Sequence, residues 1–320
     1  MWLHSFLLLF TVAGFFHRRD LPSYVYDRNY AIDDIGENHV VQTHQGPLSV
    51  RKYIGGGAYG HVFMGVLESE KRGRMRVAIK CEKPNAPMVP FIGLIPKDYS
   101  KIEHEFKMML MMNGTTGFPD IYTANFKGRL KYYVLQLLGK SVDSIREARP
   151  DKRVEPEIAL PIAIQMINRV EAIHAKGYLA YDLHLGNFLY NRGTVFLIDL
   201  GLAIPYMVNG KHVRQKGTHI PNQVKNHVLT TRHDENGEAY SRRDDVERVL
   251  MLVVYLLTGR LPWTHLHKDQ IHSMKSSLSA RRMCRDVPWM RGIFEHVFRL
   301  SFKAQPNYKF IRDEIEQQMT

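Results

Sequence analysis

The stretch IGGGAYGHVFMG, residues 54–65, carries the decision on which the fold turns. Its Gly55, Gly57 and Gly60 satisfy G-x-G-x-x-G, a pattern common to dinucleotide-binding turns and to flaps that cover phosphates. In a dinucleotide fold the glycines close a strand and open a helix. Here Val62 and Phe63 continue a strand pattern instead, so LSVRKYIGGGAYGHVFMGVLE reads as two strands around a glycine run. Such a hairpin lets backbone N–H groups approach phosphates with no Cβ in the way. MRVAIKCEK follows as a third strand.

Working outward, Pro84, Pro87, Pro90 and Pro96 mark Glu82 to Tyr99 as a loop. SKIEHEFKMMLMMN has helical spacing, with Ile102, Phe106, Met109 and Leu110 on one face and its methionines as core filling. LKYYVLQLL is a further strand. Beyond it, EIALPIAIQMINRVEAIHAKG sets Ala163, Met166, Ile167, Val170 and Ile173 at helical spacing and stops at Gly177. RRDDVERVLMLVVYLLTG is apolar almost all round, hence a buried helix; its apolar run of about nine residues is too short to cross a bilayer. WMRGIFEHVFRLSF and YKFIRDEIEQQM close the chain as helices. The expected class is α+β: a strand-rich part over 48–138, a larger helical part over 139–320 and a junction at Leu138-Gly139. Residues 18–47 read as a linker and 1–17 as a separate hydrophobic segment.

The chain has 320 residues, with 44 Lys and Arg against 32 Asp and Glu, a net charge of +12. That balance favours anionic partners, but the basic residues are scattered and select none. The densest cluster, ESEKRGRMR at 68–76, reads as a solvated hairpin tip, the alternative being a docking patch. Two cysteines, Cys81 and Cys284, exclude a disulfide framework or a zinc cluster and suit a reducing compartment. His265, His267 and His272 do not have the spacing of a common metal site. MWLHSFLLLFTVAGFF, at ~1.5 Å per residue, spans about 22 Å, short of a ~30 Å hydrocarbon core. It admits three readings: a signal peptide cut near Val12-Ala13-Gly14, a membrane contact through residues 2–16, or an inert segment, a mis-assigned start included. The charge in HRRD, after it, favours leaving the bulk of the chain in the cytosol.

The candidate chemistry comes in order along the chain. VAIK puts Lys80 on the strand after the glycine loop, where it can hold nucleotide phosphates. A buried lysine needs a carboxylate, and Glu103 and Glu105 follow. Glu105 is preferred, because its i+3 and i+4 neighbours Met108 and Met109 are apolar, whereas Glu103 has Lys107 at i+4. In GYLAYDLHLGNFLY, Asp182 lies five residues before Asn187, and IDLG supplies Asp199 twelve residues later. Phosphoryl transfer needs such a set: one Asp to orient a hydroxyl and accept its proton, an Asn and a second Asp to hold the metal.

With these residues in view, the chain resembles a protein kinase of the casein kinase 1 group, which includes the tau-tubulin kinases. LLGKSVDSI, QMINRVEAIHAKGYL, SRRDDVE, LTGRLPW and QPNYKFIRDEI are similar to that group's segments, and the resemblance covers Leu48 to Met319. It implies a bilobal kinase fold, ATP with Mg2+, and transfer to Ser or Thr of protein substrates by a cytoplasmic or nuclear monomer with no nucleic-acid partner. Carried over, Ile54, Gly55, Gly57, Gly60 and Val62 cover the nucleotide, and Ala78 and Leu189 flank the adenine. Leu138 meets it at the hinge, Leu135 is the gatekeeper, and Lys80 with Glu105 holds phosphate. Asp182 is the base, Asn187 and Asp199 hold the metal, and Asp245 braces the catalytic loop.

The loop departs from the group's H-R-D-x-K-x-x-N. Ala180 stands for a bracing His, Tyr181 for the Arg that receives an activation-loop phosphate, and His184 for a Lys that meets the γ-phosphate. A histidine is mostly uncharged at neutral pH, and losing one electrostatic stabiliser commonly costs about 10²–10³ in rate. Leu200 replaces a Phe, and GTHIPNQVKNH keeps Gly217 and Thr218 but lacks the group's substrate-binding Arg. The expected function is a slow Ser/Thr kinase, and the alternative a pseudokinase that binds nucleotide or acts as a scaffold.

Overall fold

The computed structural model describes residues 37–57, 60–82, 100–127, 131–213 and 228–319. The hydrophobic segment 1–17, most of the proline-rich loop and GTHIPNQVKNH lie outside them. The architecture is α+β, and the described residues form two compact units: 37–82, 100–138 and 199–201 in the first, 139–198 and 202–319 in the second. The boundary at Leu138-Gly139 coincides with the change from strand to helix pattern in the sequence.

In the first unit, among the described residues, six strands form one antiparallel sheet: β1 (Val40–Thr43), β2 (Gly46–Gly56), β3 (Gly60–Ser69), β4 (Gly73–Glu82), β5 (Ile121–Asn125) and β6 (Tyr132–Gln136). Their order is β1-β2-β3-β4-β6-β5. The period of two decides which face each residue takes. On β4, Val77, Ile79 and Cys81 enter a core with Leu48, Val50, Phe63, Leu67, Tyr132 and Val134, which turns Ala78 and Lys80 to the other face. The β3–β4 turn pairs Ser69 with Gly73 and leaves Glu70, Lys71 and Arg72 exposed, a solvated tip. The helix α1 (Lys101–Met111) buries Ile102, Glu105, Phe106, Met108 and Met109.

The sheet begins earlier than the pattern change at Leu48. Val41 pairs with Leu48 and Thr43 with Gly46, so the end of the expected linker is β1 and the start of β2. The turn between them is closed by the Thr43 hydroxyl, which donates to Gly46 O at 2.8 Å and accepts from Gln45 N at 3.1 Å. A four-residue edge strand is too short for its alternation to stand out.

The second unit is mainly helical. It contains α2 (Val142–Glu147), α3 (Pro156–Ala175), α4 (Arg232–Glu235), α5 (Arg242–Thr258), α6 (Lys268–Ser276), α7 (Ala280–Met283), α8 (Arg291–Phe298) and α9 (Tyr308–Glu316). Short strand pairs join them: β7 (Tyr178–Leu179) with β10 (Ile204–Pro205), β8 (Phe188–Asn191) with β9 (Thr194–Leu197), and β11 (Met207–Val208) with β12 (Lys211–His212). Ala163, Met166, Ile167, Val170 and Ile173 of α3 are buried where it packs on α5 and α9. The α5 helix is buried on nearly every side; it opens with a capping box between Ser241 and Asp244 and ends at Gly259. Among the described residues no helix is long and apolar enough to cross a membrane.

Gly259 takes φ of 71°, and a Cβ there would lie 2.9 Å from Asp151 O and 3.3 Å from Lys152 O. Gly259→Ala is expected to lower unfolding free energy by about 1–2 kcal/mol, since the left-handed cap disfavours any side chain. Urea denaturation measures this; an unchanged midpoint would mean that the turn relaxes freely.

Candidate functional site

In the first unit the chemistry gathers on the face of β4 opposite the core. Lys80 is in register with Val62 on β3 and Tyr133 on β6, and Ala78 with Leu135. The Lys80 Nζ donates to Glu105 Oε1 at 2.5 Å and lies 3.2 Å from Asp199 Oδ2. The Tyr133 hydroxyl donates to the same Glu105 Oε1 at 2.8 Å. The helical face thus turns Glu105, only 2% exposed, onto the lysine. Asp199 has φ of 57°, a left-handed conformation that aspartate tolerates, and accepts from Gly201 N at 3.3 Å.

One ammonium faces two carboxylates, and this shifts all three groups. Burial works against the Lys80 charge, but Asp199 and Glu105 more than reverse it and hold Lys80 above the ordinary lysine value. Burial and the Asp199 charge push Glu105 up, while Lys80 and Tyr133 pull against them. Asp199 also feels burial, yet Lys80 and Lys101 hold it below the usual carboxylate range.

In the glycine run, Gly57 N donates to Gly60 O at 3.0 Å. A Cβ on Gly60 would meet Cys81 O at 2.5 Å, and one on Gly56 would meet Gly60 O at 2.8 Å, so close strand approach requires these two. Gly55 and Gly57 face open space among the described residues. Ile54 beside them is exposed, and Leu138 ends the unit.

In the second unit the loop between β7 and β8 hangs from one carboxylate. Asp245, fully buried in α5, accepts from Ala180 N at 2.7 Å on Oδ2, and from Tyr181 N at 2.9 Å and the Tyr240 hydroxyl at 2.8 Å on Oδ1. His174 Nε2 lies 2.9 Å from the same Oδ2, and its Nδ1 2.5 Å from the Tyr308 hydroxyl. A tautomer protonated on Nε2 donates to Asp245 and accepts from Tyr308. Tyr181 holds φ of 64°, uncommon for a bulky side chain and costing roughly 1–2 kcal/mol. Its ring packs on Tyr240 at 4.8 Å between centroids.

Asp182 follows with its side chain half-buried. Its carbonyl accepts from Asn187 Nδ2 at 2.9 Å, and Ile198 N donates to Asn187 O at 2.9 Å. The Asp/Asn spacing is that of a closed loop: Leu185–Asn187 is a single 3-10 turn between them. His184 Nδ1 accepts from Gly186 N at 3.2 Å and so caps that turn. Leu189 continues into β8, in register with Phe196.

Lys80, Glu105 and Asp199 therefore meet within the first unit, and Asp182, His184 and Asn187 share one loop of the second. Sequence reasoning passed over Tyr133, His174 and Tyr240. The available signal was a polar tip inside an apolar element, which in a buried setting demands a partner. No known protein-family profile matches the chain.

Asp245→Ala leaves Ala180 N, Tyr181 N and the Tyr240 hydroxyl without their acceptor. It is expected to lower stability by about 3–5 kcal/mol, as breaking a buried charged network does. A loss below 1 kcal/mol on chemical denaturation would show that the loop does not depend on this carboxylate.

Proposed function

We propose that the chain is a protein kinase of the casein kinase 1 type, with a bilobal kinase fold, transferring the γ-phosphate of ATP to Ser or Thr hydroxyls of protein substrates. The observation that carries this reading is the Lys80 ammonium held at 2.5 Å by Glu105 and at 3.2 Å by Asp199, with Tyr133 on the same glutamate oxygen. Three charges from distant parts of the chain, one buried and two partly buried, are a poor device for stability, because desolvation offsets much of the attraction. They are well suited to fixing a cation for nucleotide phosphates. Gly55 and Gly57 add support, since no neighbouring atom among the described residues requires glycine there.

Each proposed ligand, taken by itself, is of a kind that suits Mg2+. Asp199 keeps its side chain 32% exposed and is ionised. Asn187 commits its amide nitrogen to Asp182 O, which leaves the amide oxygen as its ligand atom. Two hard oxygens are what this ion takes from a protein when phosphates and water fill the other positions. When bound, the metal neutralises charge on the β- and γ-phosphates. The chain's own residues do the rest: Lys80 anchors phosphate, Asp182 orients the incoming hydroxyl and takes its proton, and Ala78, Val62, Leu135, Leu138 and Leu189 offer apolar contact to the base.

Phosphate transfer from Mg-ATP to a broad Ser/Thr peptide library tests this. Asp182→Asn and Lys80→Met are each expected to lower kcat/KM by about 10²–10⁴. Transfer by the parent protein no greater than by Asp182→Asn would end the proposal.

A second reading, a pseudokinase that binds nucleotide without turnover, draws on His184. Its Nδ1 accepts from Gly186 N, so in this arrangement the His184 ring is engaged in capping a turn of its own loop. His184→Lys separates the two readings. A handicapped enzyme gains about tenfold or more in kcat; no activity before or after the change, with ATP still raising Tm, identifies the scaffold.

A further inference from the structure

The loop that carries Asp182 lacks an arginine at 181, yet a guanidinium reaches it from elsewhere. Arg248, only 3% exposed on α5, donates through Nη1 to the carbonyl of Tyr181, the residue next to Asp182. Through Nε it donates to Leu229 O at 3.0 Å. Its Cζ lies 5.4 Å from the Tyr181 ring centroid and 5.5 Å from that of Tyr240. Both carbonyls belong to non-helical chain, so one side chain joins two segments that share no backbone hydrogen bond among the described residues.

The Leu229 end is itself fixed. Val228 O accepts from Trp263 Nε1 and from Lys275 Nζ, each at 2.9 Å. Lys275 Nζ also donates to Thr230 O and to the Thr230 hydroxyl at 2.9 Å, and sits 4.5 Å from the centre of the Trp263 ring. Three successive carbonyls, 228 to 230, are thus held by Arg248, Lys275 and an indole. Arg248 connects this anchored segment with the loop of Asp182. Tyr181, held in its left-handed conformation, has its N–H on Asp245 and its C=O on Arg248. Strain persists where the surroundings over-determine it, and such places cluster at functional sites.

We infer that Arg248 is a positioning residue for Asp182: its guanidinium ties the carbonyl that precedes Asp182 to the anchored segment 228–230. This rests on the kinase reading for its catalytic consequence alone. A loop arginine at 181 would need an outside anion to be held in place. The helix-borne Arg248 is matched internally: burial opposes its charge, but Tyr240, Tyr181, Asp245 and Asp182 restore it. The loop is therefore set by the fold and needs no added phosphate.

Arg248→Lys keeps a cation but replaces the planar fork, whose Nε and Nη1 each reach one carbonyl, with a single ammonium that cannot occupy both donor positions. Amide hydrogen exchange on the full chain is expected to rise about tenfold at 181–183 and at 229–231, with α3 unchanged. The kcat for peptide phosphorylation should fall about tenfold with KM for ATP within about twofold, the pattern of a lost transition-state arrangement. Lys275→Met serves as comparator and should loosen 229–231 while leaving 181–183 protected. Unchanged exchange at 181–183 in Arg248→Lys overturns the inference. So does a rise spread equally over α3, which marks a merely structural arginine, or local loosening with kcat intact. Were the parent protein inactive, the kinase reading would fall, and the exchange comparison would still decide whether Arg248 sets this loop.

Discussion

A carboxylate with no access to water must find a donor for nearly every lone pair, and Asp245 is the group on which the second unit depends. Its two oxygens receive two backbone N–H groups, one phenol and one imidazole. The four partners come from three places: the loop at 180–181, Tyr240 two residues ahead of α5, and the end of α3. The hydrogen bonds therefore set register as well as energy, because a one-residue slip would strand several buried donors at once. The apolar wrap of α5 makes this stringent: without it, water could substitute for any missing partner. Tyr181 can keep its left-handed backbone only inside such a frame.

The first unit solves a different electrostatic problem. Lys80, Glu105 and Asp199 do not balance, since two carboxylates share one ammonium. The excess shows in opposite directions on the two acids: Glu105, the more deeply buried, is pushed up, and Asp199, nearer solvent and Lys101, is held down. Tyr133 matters because it is neutral. It lends a hydrogen bond to Glu105 without adding charge of either sign, and so favours the ionised form that Lys80 requires.

Much of this was legible in the sequence, for identifiable reasons. VAIK placed Lys80 on the strand after the glycine loop, and the apolar neighbours of Glu105 singled it out over Glu103 as the lysine's partner. The junction at Leu138-Gly139 was visible as a change of period. What escaped has its reasons too. The β1 strand is short and lies at the sheet edge, so four residues gave no pattern. Tyr133 and Tyr240 were given no role, because a phenol counts as hydrophobic in a pattern until its hydroxyl finds a partner. Arg248 sat in what looked like a uniformly buried helix, and the two carbonyls it joins belong to segments 48 residues apart in the chain, Tyr181 and Leu229. His184 was read as standing in for a Lys that meets the γ-phosphate; that its ring nitrogen accepts from a backbone amide two residues on had no sequence signal. Patterns of one residue type report faces; partnerships between distant polar atoms leave no periodic trace.

The two cysteines have a practical meaning. Cys81 lies in the sheet core and Cys284 against the helices, 1% and 2% exposed, and burial pushes each thiol up to about 12. Neither forms the thiolate that an alkylating reagent needs unless its surroundings open. Each unit thus contains a single silent thiol among the described residues, on opposite sides of the Leu138-Gly139 boundary. The rate at which a thiol reagent modifies Cys81 reads the breathing of the sheet, and that at Cys284 reads the breathing of the helical unit. The protein comes with two built-in clocks of local opening, and neither requires an introduced label.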